Sequence, residues 1–176
     1  MEIKKWPVVS RESIFKKYGR EVERVDFELP DGSVADFYLK KEEDTVCILA
    51  LTKNNEVILA KQFRPGPYEV LLELPGGGIE EGESPEVAGA RELLEETGYA
   101  GKAEFVVQAL DCGYSTRRRN CVAITDCEKV AEIQNTATEK TEVVLMSLSE
   151  FREHLRSGQL TDIEIGYLGL DYLGLL

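Results

Sequence analysis

The chain has 176 residues, enough for one domain with a substantial core, and a formal net charge of −12 from 21 basic and 33 acidic residues. That acidity argues against broad binding to nucleic acid or to an anionic membrane, because phosphate-backbone affinity comes from clustered Lys and Arg. The hydrophobic share of 43% is that of a globular protein, and neither a membrane-length apolar run nor an N-terminal signal h-region is present, so a cytoplasmic protein is expected.

In chain order, residues 21–40 alternate in polarity around Pro30-Asp31-Gly32, which predicts a β-hairpin ahead of the main domain. Val46–Leu51 and Val57–Phe63 read as strands joined at Lys53-Asn54-Asn55, and Val70–Leu74 leads into a glycine loop. A helix follows, capped by Ser84, started by Pro85 and ended by Gly98, with Val87, Ala90, Leu94 and Leu93 as its expected buried stripe. Phe105–Leu110, Cys121–Thr125 and Val143–Leu148 are further strand-length runs, separated by expected mobile loops at Asp111–Asn120 and Lys129–Lys140. Two helices close the chain: Ser149–Ser157, and a last one with a capping box at Thr161 and Glu164. The last segment is apolar nearly all round, so it is either buried or covered by a partner chain. This order predicts a mixed α/β fold, a mixed sheet between helical layers. The four cysteines, Cys47, Cys112, Cys121 and Cys127, form no C-x-x-C pair and read as small buried hydrophobes in a reduced compartment.

Chemistry concentrates in Gly76–Tyr99. Glu92, Glu95 and Glu96 stand at i, i+3 and i+4, one face of a helix, where like charges repel. A hard divalent cation would offset that repulsion, and oxygen-only ligands suit magnesium. A solvated acidic helix is the bland alternative. It would tend to intersperse Lys with Glu, which this face does not do.

Gly77, Glu83, Arg91, Glu92, Leu93, Glu95, Glu96, Gly98 and Tyr99 resemble the Nudix box, G-x5-E-x7-R-E-U-x-E-E-x-G-U, with Tyr99 where an aliphatic residue is usual. At ordinary residue usage its seven invariant letters coincide by chance about once in 10⁸ windows, so the match is specific. The resemblance implies an α/β/α sandwich over 41–176 with an N-terminal strand extension over 1–40, an element that commonly helps build a homodimer in the ADP-sugar pyrophosphatase branch. It further implies hydrolysis of a nucleoside diphosphate linked to a group X. Glu92, Glu95, Glu96 and the Gly76 carbonyl would be ligands for magnesium, with manganese as a possible substitute. Arg91 would orient Glu95, and Glu83 would hold loop to helix.

The segment AKQFRPGPYEVLLELPGG resembles the approach to the box in ADP-ribose and ADP-sugar pyrophosphatases. By that likeness Arg64 contacts a phosphate, while Glu73 either lines the substrate cleft or pairs with an arginine. Glu139 is the first choice for a catalytic base and Glu142 the second; His154 reads as an exposed helix residue. Two features depart from the ADP-ribose pattern: Tyr114-Ser115 stands where a proline is typical, and Arg117-Arg118-Arg119 occupies the loop, either to grip the distal substrate or as a solvated run. The expected substrate is a nucleotide sugar, most of all ADP-ribose. A triphosphate hydrolase and a non-catalytic nucleotide sensor are the alternatives.

Overall fold

The computed structural model describes residues 2–135 and 140–176. The chain divides into two compact units: Met1–Asp44 with Leu110–Arg118, and Thr45–Ala109 with Arg119–Leu176.

The smaller unit is a three-stranded antiparallel sheet of β1 (Val8–Lys17), β2 (Arg20–Glu28) and β3 (Val34–Lys41) in the order β1-β2-β3. The expected hairpin is β2–β3. Its turn is closed by Leu29 N–H donating to Ser33 O at 2.8 Å, and by the Asp31 carboxylate, which accepts from Ser33 N–H at 3.0 Å. Strand β1 is an addition the sequence does not announce. Register irregularities between Val8 and Ser10 and between Ser13 and Phe15 break the two-residue alternation by which strands are read, and all of β1 is exposed. Trp6, Phe27 and Phe37 pack edge-on or tilted, with centroids 5.6–6.4 Å apart, near the fully buried Val25.

Residues 111–118 were expected to be part of a mobile loop, but they are pinned to this sheet. Lys40 N–H donates to Tyr114 O at 2.8 Å, Thr116 N–H to Lys40 O at 2.9 Å, and Arg118 N–H to Asp44 Oδ1 at 2.8 Å.

The larger unit carries β4 (Thr45–Thr52), β5 (Glu56–Arg64), β6 (Glu69–Glu73), β7 (Gly76–Gly78), β8 (Tyr99–Leu110), β9 (Arg118–Lys129) and β10 (Thr141–Ser147). The strand order is β10-β5-β4-β9-β8, with β6 on β5 and β7 on β4. The β4–β9 pair is parallel and β4–β7, β5–β6 and β5–β10 are antiparallel, so the sheet is mixed.

Strand β4 shows why helices cover both faces. Val46, Ile48 and Ala50 point to one side, where Ala88 and Leu93 of α1 (Pro85–Thr97) pack with Ile58, Val122 and Ile124. Cys47, Leu49 and Leu51 point to the other, against Phe151 and Leu155 of α2 (Leu148–Ser157) and Ile165 and Leu170 of α3 (Ile163–Tyr172). The expected α/β/α layering holds.

Three details differ from expectation. The buried stripe of α1 is Ala88, Gly89, Leu93, Glu96 and Thr97, while Val87 and Ala90 are exposed. The helix is rotated because the side bearing Glu92 and Glu96 turns inward onto the glycine strand. Helix α2 begins one residue earlier than expected and has its own capping box, Ser147 with Glu150. Helix α3 starts after Asp162 with no side-chain cap, because the Thr161 hydroxyl donates to Glu73 and the Glu164 carboxylate pairs with Arg119.

The apolar C-terminal segment is largely covered within the chain. A Cβ on Gly169 would lie 2.8 Å from Leu49, and one on Gly166 2.5 Å from Leu155, so bare backbone lets α3 approach both β4 and α2. Three of the cysteines are buried as expected; Cys112 is exposed. Burial pushes the thiol of Cys121 up to about 12 and that of Cys127 to about 11, which keeps both unreactive.

Candidate active site

The glycine loop of the sequence is a short strand. Gly76, Gly77 and Gly78 pair with Cys47, Val46 and Thr45, and α1 lies against the strand's other side. A Cβ on Gly76 would sit 2.3 Å from Val46 O, and one on Gly77 2.3 Å from Glu92 Oε1. At Gly76 the obstacle is backbone, so only glycine fits there; at Gly77 it is the tip of the Glu92 side chain, which a Cβ would push off the strand. Glu96, nearly buried, accepts a hydrogen bond from Gly76 N–H at 3.0 Å. Glu95 is the most open of the three acids, its side chain 43% exposed.

Arg91 stands at the centre of this face. Its Nε and Nη2 donate to the two oxygens of Glu83, both at 2.9 Å, in a bidentate fork. Nη2 also donates to Gly78 O at 2.9 Å, and Nη1 reaches Glu92 at 2.8 Å and Glu95 at 3.5 Å. Arg91 therefore supplies part of the positive charge that the crowded acids demand. The Arg91 fork, followed by the Glu80 N–H, holds the Glu83 carboxyl down to about 2, and the Glu83 carboxylate in turn raises Arg91. This pair joins the loop to the helix.

Among the described residues no three His, Cys, Asp or Glu side chains form a metal cage by themselves. The donor set at Glu92, Glu95, Glu96 and Gly76 is nonetheless all oxygen. Its two inward carboxylates are already fixed by backbone and Arg91. That suits an ion such as magnesium, which keeps several waters and takes one or two carboxylates together with substrate phosphates. It does not suit a closed structural site.

Arg64, at the end of β5, donates through Nε to Glu73 at the end of β6. Glu73 is 1% exposed, and its other oxygen accepts from the Thr161 hydroxyl at 2.6 Å. Of the two roles left open for Glu73, the structure displays the arginine pair. Thr161 is a residue that sequence reasoning missed, because its spacing to Glu164 mimics a helix cap. Gln62, two residues before Arg64 and on the same face of β5, is buried, and among the described residues its amide nitrogen has no hydrogen-bond partner.

The basic triplet is not a single patch. Arg117 donates to Glu43 O at 3.1 Å, whereas Arg119 reaches Asp162 at 2.9 Å and also pairs with Glu164. Glu142 is exposed and pairs with Lys61 at 3.1 Å. Glu139 lies outside the described residues. On either side of it, Gln134 N–H donates to Glu95 O at 3.0 Å and the Thr141 hydroxyl to Glu96 O at 2.9 Å. His154 is not the exposed residue expected; its Nε2 donates to Leu72 O at 2.7 Å and ties α2 to β6.

Comparison with known proteins bears on this site. The chain is 37% identical over 94 residues to an ADP-ribose pyrophosphatase of Bacillus subtilis, covering 53% of this chain and 51% of that protein. It is 44% identical over 91 residues to an ADP-sugar pyrophosphatase of Mus musculus, covering 48% and 42%. The chain thus spans about half the length of the curated relatives it matches. A solved structure titled as that of an ADP compounds hydrolase superposes over 100% of both chains with a TM-score of 0.83 at 20% identity, a likeness of fold. The family model described as the NUDIX domain matches residues 41–163, which include the glycine strand, Arg91 and all three helix glutamates. On that match, and on the architecture that accompanies it, the chain belongs to the NUDIX domain family.

Proposed function

We propose that this chain is a divalent-metal-dependent Nudix hydrolase that cleaves the pyrophosphate bond of ADP-ribose, or of another ADP-sugar, to AMP and a sugar phosphate. The observation that carries the reading is the glycine strand clasped by Glu92 and Glu96, in a chain whose relatives are named for ADP-ribose and ADP-sugars. Glu92, Glu95, Glu96 and the Gly76 carbonyl would hold magnesium or manganese. Such an ion neutralises a diphosphate and lowers the pKa of a bound water. Arg91 keeps Glu92 and Glu95 apart and aligned. Arg64, its Nε occupied by Glu73, offers its remaining amines to a phosphate oxygen. Glu139 is the proposed base that takes the proton from the attacking water, with Glu142 as the alternative.

The reading extends to a cytoplasmic homodimer in which the N-terminal strands of residues 1–40 help form the interface. The exposed β1 and its apolar residues Val9, Ile14 and Phe15 support that arrangement more than the C-terminal helix does. No helix among the described residues is long and apolar enough to cross a membrane. The test is a product assay with magnesium across ADP-ribose, GDP-mannose, NADH, ATP and dGTP. ADP-ribose should give AMP and ribose 5-phosphate with the highest kcat/KM. A tenfold preference for a triphosphate would overturn the substrate assignment.

A further inference from the structure

We propose that Glu73 and Thr161 are positioning residues that hold the Arg64 guanidinium ready for the diphosphate; this deepens the function proposed above and rests on Arg64 as its phosphate contact. Arg64 lies opposite Glu69 in the β5–β6 register, where a simple surface pair would form. Instead its Nε reaches along the strand to Glu73, opposite Ala60. A carboxylate as buried as Glu73 is costly unless both oxygens are satisfied, and they are: one by Arg64, the other by the Thr161 hydroxyl.

The consequence falls on the other end of the guanidinium. Among the described residues Nη1 and Nη2 of Arg64 have no partner, and the side chain is 37% exposed. A guanidinium anchored through Nε presents a fixed pair of amines, the geometry that matches phosphate oxygens. Anchoring also removes much of the rotamer freedom that a free arginine would lose on binding. Thr161 is the remote member of the arrangement. It sits between α2 and α3 and acts on the ligand only by fixing the carboxylate that fixes Arg64.

A purely structural link between β6 and the α2–α3 connection would make the same hydrogen bonds, so the test must read coupling to Arg64. Inorganic pyrophosphate with magnesium is titrated calorimetrically into the full chain. Thr161→Val should raise its Kd about fivefold and Arg64→Ala about tenfold, while Thr161→Ser should bind as the parent does. In the Arg64→Ala background Thr161→Val should have no further effect. Should Thr161→Val fail to fold, Glu73→Gln takes its place: Arg64 and Thr161 donate to different oxygens of Glu73, and the amide of Gln offers an acceptor at only one of those two positions. In turnover, the Thr161 variant should raise KM more than it lowers kcat. The inference is overturned if Thr161→Val weakens pyrophosphate equally with Arg64 absent, or if Arg64→Ala leaves the Kd unchanged. Hydrolysis of ADP-ribose by the parent is scored separately: its absence overturns the substrate reading, whereas the coupling between positions 161 and 64 stands or falls on pyrophosphate alone.

Discussion

The three-stranded sheet and the face of α1 both carry dense charge, and they use it in opposite ways. On the sheet, acids and bases alternate across strands: Lys16 meets Glu21 at 3.1 Å, Lys41 meets Glu23 at 2.8 Å, and Arg11 meets the same glutamate at 3.1 Å. Each of those cations is half-exposed or more, so the pairs are screened and individually weak. On α1 a single arginine, only 24% exposed, serves Glu83, Glu92 and Glu95, with Glu96 beside them. The sheet is balanced and the helix face is not. An unbalanced cluster of acids, partly withdrawn from water, is costly in isolation and becomes favourable when a cation arrives.

That contrast can be broken at several points. The largest effect is expected on catalysis. Glu96→Gln keeps an acceptor for Gly76 N–H but removes a charge, so the chain should fold while kcat falls about 10²–10³-fold in a magnesium assay. A kcat within threefold of the parent would remove Glu96 from the site. Next comes stability. Arg91→Ala leaves the acids facing one another and should cost about 2 kcal/mol in a denaturant titration, less than for a fully buried pair because Arg91 is partly solvated. An unchanged midpoint would mean the acids do not repel.

The third test is pH. With its folded-state carboxyl near 2 against an ordinary value of 4.5, Glu83 contributes stability that is complete above the ordinary value and is lost as pH falls from there toward 2. Glu83→Gln should therefore melt below the parent at about pH 6, and the gap should narrow on acidification toward about pH 3. A constant gap would show that the Arg91 fork does not set the titration. The smallest effect belongs to the sheet: Lys41→Ala should move Tm by no more than about 2 °C, and molar salt should erase the difference.

Sequence patterning resolved the larger unit well where burial imposes it. Val46–Leu51 alternates between two helix-covered faces, and the capping residues Ser84 and Gly98 mark the ends of α1 as expected. It failed where the cause is tertiary. Strand β1 lost its alternation to two bulges, and the stripe of α1 was misjudged because a carboxylate face is the one turned inward. At the site, the order of residues from Gly77 to Tyr99 carried the family. It could not carry Thr161, whose role exists only through a side chain 88 positions earlier in the chain. His154 was misread for a similar reason, its partner being a backbone carbonyl on another element.

Gly76 and Gly77 are blocked on opposite sides, one by a sheet carbonyl and the other by a helix carboxylate. At the glycine strand itself, carboxylate and peptide therefore meet with no side chain between them, although Ala88 and Leu93 fill the rest of the contact between α1 and the sheet. Most interlayer spacings in a protein drift as cores repack. Here the Gly76 contact is backbone on backbone, and the Glu96 carboxylate is held to the same residue's N–H, so their approach does not depend on the size of any neighbouring side chain. Variation can reshape the surroundings of such a site without disturbing the backbone contact at its base.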